Sequence, residues 1–106
     1  MAIDIVARVA NRLGLPVEEV VKEALKLFLC EELRRVRAEK AMILSRYGVK
    51  SFEELMKLIE DGRVSDVDAH DDIARLDYLE HREKMLSELL NEIEGSLREP
   101  SRRTIP

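Results

Sequence analysis

Apolar residues recur along this chain at spacings of three and four, and the pattern alone divides it into helices. Ile3, Val6, Ala7, Ala10 and Leu13 share one face of a helix over residues 2–13. Gly14 then supplies the left-handed residue that ends a helix. Pro16 suits the first position of the next one, and Glu18 and Glu19 complement the positive end of its dipole. From Pro16 to Tyr47 no breaker intervenes, and Val17, Val20, Val21, Ala24, Leu25, Phe28, Leu29, Leu33 and Val36 carry the stripe onward. A helix of that length spans roughly 48 Å, whereas a compact chain of this size has a radius of gyration near ~13 Å. An extended shape or self-association follows.

Gly48 stops the long helix. Ser51, with Glu54 three residues later, forms a capping box ahead of Leu55, Leu58 and Ile59, and Gly62 closes this short third helix. A fourth runs from Val67 or Asp68 to Glu94, with Leu76, Leu79, Leu86, Leu90 and Ile93 on a seam that only Glu83 interrupts. After Gly95 the remainder carries two prolines and no periodicity. The expected fold is all-α: a helical hairpin with one very long helix, a short third helix and a long C-terminal amphipathic helix, elongated and dimeric. Residues 1–48 form the hairpin, 49–95 the short helix and acidic arm, and 96–106 a flexible tail.

Composition supports helices over strands: the 106 residues are 45% hydrophobic and 38% charged but only 4% aromatic. Little aromatic mass argues against a roomy small-molecule pocket. No apolar run reaches the ~20 residues of a membrane span, no secretory leader is evident, and Cys30 stands alone. A soluble, cytoplasmic protein without membrane contact is expected. Charge changes the picture more. Residues 1–50 hold ten Lys/Arg against seven Asp/Glu, residues 51–95 five against fourteen, and residues 96–106 three against one. Such a split suits two kinds of partner, nucleic acid and a basic protein surface, or simply helix faces that differ in charge.

Candidate chemistry is sparse. Asp61, Asp66, Asp68, His70, Asp71 and Asp72 crowd one stretch, but a calcium loop needs a glycine turn and a distal bidentate glutamate. His70 and His81 lie eleven residues, or three turns, apart, too far to share a zinc ion. The aspartates read instead as a cap at Ser65, Asp66 or Asp68 and acids favoured near the start of a helix. Asp77 and His81 form a helix-stabilising pair, and no nucleophile stands in a motif with a base. Neither enzyme activity nor a cofactor is expected. Cys30, beside Phe28, Leu29 and Leu33, reads as a small buried hydrophobe. Arg34, Arg35 and Arg37 form a weak nucleic-acid signal, since Glu31, Glu32 and Glu39 intervene and no aromatic is interleaved.

The stretch "VARVANRLGLPVEEVVKEALKLFLCEELRRV" resembles the helical portion of ribbon-helix-helix regulators. "RYGVKSFEELMKLIEDGRV", followed by the acidic "HDDIARLDYLEHREKMLSELL", is similar to the C-terminal arm of small archaeal and thermophile antitoxins of the VapB/RelB type. The resemblance covers residues 2–94. Only Met1 and Ala2 precede Ile3, the first apolar position of the helical pattern, so the DNA-reading ribbon of those regulators is not expected here. The resemblance implies that Val17, Val20, Val21, Ala24, Leu25 and Phe28 form a dimer core. It further implies that Leu76, Leu79, Leu86 and Leu90 anchor a partner groove, with Asp71, Asp72, Asp77 and Glu80 facing a basic cleft. The expected function is neutralisation of a ribonuclease-type toxin by an acidic amphipathic helix. The alternatives are a self-contained helical scaffold or coiled-coil oligomer in which the fourth helix packs on the second, and a DNA-binding regulator.

Overall fold

The computed structural model describes residues 2–103, with side chains over 4–95. Four α-helices follow one another: α1 (Ala2–Leu13), α2 (Val17–Ser45), α3 (Phe52–Glu60) and α4 (Asp66–Arg103). Among the described residues there is no strand. The first three helices end in the same way. At the first turn, Gly14 (φ 72) donates to the carbonyl of Asn11 (3.2 Å) and Leu15 to that of Ala10 (2.9 Å). This is the paired closure of a left-handed glycine cap, and Gly48 and Gly62 repeat it. At the start of α3, Ser51 Oγ accepts from the Glu54 N–H (3.1 Å). The Glu54 carboxylate reaches back to the Lys50 N–H (2.9 Å), one residue before the usual capping-box position. Ser65 Oγ accepts from the Asp68 N–H at 3.4 Å, so Ser65 caps α4.

One boundary differs from the pattern-based expectation. Helix α4 passes through Gly95 and Pro100 to Arg103, so the backbone of 96–103 is helical where a flexible tail was expected; residues 104–106 lie outside the described residues. Gly95 lacks the positive φ of the other three glycines. In a helix interior it costs about 1 kcal/mol relative to alanine, too little to stop a helix that has no turn to make there. Pro100 removes one i to i−4 hydrogen bond without ending it.

The chain divides into two compact units that do not follow sequence order. One comprises Met1–Glu31 with Ser87–Pro106, the other Glu32–Leu86, so α2 and α4 each contribute to both. The Glu32–Leu86 unit has a core of Leu33, Val36, Ile43, Leu44, Leu55, Ala69, Leu76, Leu79 and Leu86. Each fully buried leucine contributes roughly 1.5–3 kcal/mol. In the other unit only Ala10 and Leu29 are buried among the described residues.

Candidate functional site

Within the Glu32–Leu86 unit, α2 and α4 run antiparallel, joined by a ladder of charged side chains. Arg46 Nη1 donates to Asp72 Oδ1 (3.1 Å), Arg75 grips Glu39 with two bonds (2.6 and 2.8 Å), and Arg82 Nη2 donates to Glu32 (3.1 Å). Lys40 lies 2.6 Å from both Glu80 and Glu83, and Arg37 Nε is 2.7 Å from Glu83. Rising numbers on α2 thus meet falling numbers on α4. The interruption of the seam at Glu83 acquires a reason: its carboxylate joins two cations of α2.

This ladder changes the reading of the sequence-predicted partner site. Leu76 (0% exposed), Leu79 (1%) and Leu86 belong to the chain's own core, not to an open groove-binding edge. The stripe they form is closed by other buried side chains of the same unit. Leu90 is half-buried in the other unit. Asp72 and Glu80, expected to face a foreign basic cleft, are taken by Arg46, Tyr47 and Lys40. Asp71 and Asp77 stay exposed, the latter 3.8 Å from His81 one turn on.

The arginines of the nucleic-acid signal are engaged within the chain as well. Arg37 pairs with Glu83, Arg35 lies 3.9 Å from Glu32, and Arg34 also has a partner. Cys30 is exposed rather than buried, because the inward face of α2 passes through Leu29 and Leu33 instead.

An apolar surface is left open on α1 and the first half of α2. Ile5, Val9, Leu13, Leu15, Val17, Val21, Leu25, Leu27 and Phe28 are all exposed, Leu27 to 70% and Phe28 to 60%. Ile5, Val9 and Leu13 stand four apart on one flank of α1, and Val17, Val21, Leu25 and Phe28 follow one flank of α2. Val20 is half-buried and Ala24 exposed. The residues expected to form a dimer core thus lie on accessible surface of the single chain. Arg8 and Arg12 border the α1 flank, lining with Val9, Asn11 and Leu13 a surface groove of about 610 Å³.

Comparison with known proteins adds a family to this geometry. The model of the family described as "Uncharacterized protein MJ0235 family" matches residues 1–97. The chain belongs to the MJ0235 family. A member from Methanocaldococcus jannaschii, described as "Uncharacterized protein MJ0235", is 32% identical over 76 residues, covering 72% of this chain and 93% of that one. No solved structure matches. The antitoxin resemblance therefore rests on the sequence pattern quoted above.

The matched residues include the first three helices, α4 up to residue 97 and the positions of the charge ladder, whose electrostatics make a pH prediction. Hydrogen bonds from Lys40 and Arg37 hold the Glu83 carboxyl below its ordinary value of 4.5, against the opposing effect of burial. Burial disfavours the Lys40 ammonium, but hydrogen bonds to Glu80 and Glu83 outweigh it and leave its pKa raised. The Arg75 hydrogen bond likewise lowers Glu39. A carboxylate with a depressed folded pKa contributes stability that is present above its unfolded value and lost as pH falls through the folded one. The urea midpoint should therefore fall as pH drops below the ordinary glutamate value, and Glu83→Gln should flatten part of that fall. Identical acid profiles for the two chains would remove Glu83 from the account.

Among the described residues, no group of three or more His, Cys, Asp or Glu is placed to hold a metal ion. No described helix is long and apolar enough to cross a membrane.

Proposed function

We propose that this chain is a non-catalytic protein-binding module that makes its contacts through the apolar face of α1 and the first half of α2. The observation that carries this reading is the unequal distribution of apolar side chains. The Glu32–Leu86 unit buries nine of them and exposes five large ones, whereas the α1 and α2 region up to Leu29 buries two and exposes nine large ones. A soluble monomer rarely exposes a contiguous apolar surface beyond about 300–600 Å² unless something covers it. The exposed single thiol of Cys30 suits a reducing compartment such as the cytoplasm. Binding of an apolar-surface dye such as anilinonaphthalene sulfonate to the dilute chain is the test. Fluorescence should rise with the wild type and fall by more than half in Leu25→Glu, with the helical circular dichroism preserved. No dye response in the dilute wild type, or a Leu25→Glu chain that loses its helicity, would oppose a binding face.

A second reading, neutralisation of a ribonuclease-type toxin, draws on a different surface. Asp71, Asp77, Tyr78 and Met85 are exposed on α4, so an acidic face with two apolar contacts remains available although the leucine seam is closed. Under this reading Tyr78→Asp weakens inhibition of a coexpressed toxin while leaving the fold intact. Unchanged inhibition would remove it.

A further inference from the structure

We infer that the occupant of the exposed face is a second copy of this chain, related by a two-fold axis, with α1 of each copy laid on the first half of α2 of the other. This inference rests on the protein-binding reading and names its partner. Three observations carry it. The first is that the Met1–Glu31 and Ser87–Pro106 unit buries only Ala10 and Leu29 among its described residues. Two buried side chains among the described residues, one of them alanine, offset little of the conformational entropy of ordering them. A cover on the exposed face therefore adds to the stability of helices the single chain already forms, and a second copy is a partner present wherever the chain is.

The second observation is area. Nine large apolar side chains, on average about half exposed, present on the order of 700 Å², close to the ~800 Å² per partner of a standard interface. The third is charge. The exposed flank of α1 is bordered by Arg8 and Arg12, four residues apart, and the exposed arc of α2 is bordered beyond Leu27 by Glu19 and Glu23, also four apart. None of these four forms an ion pair among the described residues, whereas Lys22 pairs with Glu18 (3.0 Å) and Lys26 with Glu94 (3.3 Å). An isologous contact lays a basic-rimmed apolar flank on an acidic-rimmed one, and symmetry makes the match twice. Like-charge juxtaposition at such a rim is costly, and complementary charge fixes register.

Light scattering coupled to size exclusion tests the pairing on the full chain. The wild type should run at twice the chain mass. Arg8→Glu with Arg12→Glu, and separately Glu19→Arg with Glu23→Arg, should each weaken dimerisation at least tenfold at low salt while the helical signal persists. Mixing the two variant chains should restore the dimer, because each α1 rim then meets an α2 rim of opposite sign. Variants that dimerise as tightly as wild type, or that fail to rescue one another, overturn the register. A wild-type monomer at high concentration overturns the second-copy assignment; if that monomer binds the apolar dye, the face serves a different protein and the general reading survives.

Discussion

Replacing Leu79 with aspartate should abolish cooperative folding of the Glu32–Leu86 unit. Leu79 is 1% exposed, in a core shared with Leu55 and Leu76. Truncation of such a leucine to alanine costs about 2–5 kcal/mol, and an unpaired buried carboxylate adds several more or forces its own neutralisation. At ~0.05–0.15 kcal/mol per residue, a unit of this size has roughly 3–8 kcal/mol in total. The expected result is loss of the sigmoidal urea transition in far-UV circular dichroism, with Leu79→Met, which conserves volume, staying within about 1.5 kcal/mol of wild type. A free α4 arm waiting for a foreign groove would tolerate Leu79→Asp with its hairpin intact. That outcome would restore the groove-anchor reading of the seam.

Phe28→Glu should do the reverse: keep the fold and lose the assembly. Phe28 is 60% exposed in the single chain, so a charge there meets water, not core, and the urea transition of the Glu32–Leu86 unit should hardly move. In the proposed two-fold pair the same position lies within the apolar arc of α2, where large aromatic anchors commonly carry 2 kcal/mol or more of binding energy. Weakening by roughly 30-fold or more is therefore expected in the dimer dissociation constant measured by sedimentation velocity. A dissociation constant unchanged by Phe28→Glu would take this arc out of the interface. The contrast between the two substitutions is informative because the sequence presents Leu79 and Phe28 alike, as apolar residues on a helical stripe.

That likeness marks how far the sequence could be read. Helix number and type followed from the three-four spacing, and three of the four glycines announced their turns because a left-handed residue was needed after Leu13, Tyr47 and Asp61. Gly95 gave the same signal without a turn to make, and a pattern of residues cannot distinguish a glycine that ends a helix from one that merely weakens it. The seam of α4 was legible as a stripe to be buried, yet periodicity says that a face is covered and not by what. The missing clue lay in the charges. The basic first half and the acidic stretch from 51 to 95 suit two outside partners or simply helix faces that differ in charge, and Arg37, Lys40 and Arg46 answer Glu83, Glu80 and Asp72 in antiparallel order. Much of the charge split is complementary to itself. The apolar run from Val17 to Phe28, expected as a dimer core, is mostly exposed in the single chain, because the inward face of α2 continues through Leu29, Leu33 and Val36.

The acidic cluster at the start of α4 shows the same division of labour. Asp66 and Asp68 lie in the first turn of α4, where negative charge is favoured, while Asp72 is held by Arg46 and Tyr47. The Asp72 hydrogen bond also raises the Tyr47 pKa, keeping the phenol a donor. Acids crowded into one stretch of sequence are thus split between the helix start expected of them and the α2–α4 ladder.

The central claim is that α4 closes on its own chain from Asp66 to Leu86, while α1 and the first half of α2 are completed by a second copy. Amide hydrogen exchange followed over a dilution series tests both halves at once. Amides around Leu55, Leu76 and Leu79 should keep their protection at every concentration. Those of α1 and of Val17–Leu29 should exchange faster as the chain is diluted and the pair dissociates. Protection of α1 that does not respond to dilution, or exchange in the Asp66–Leu86 stretch faster than in α1, would contradict the account.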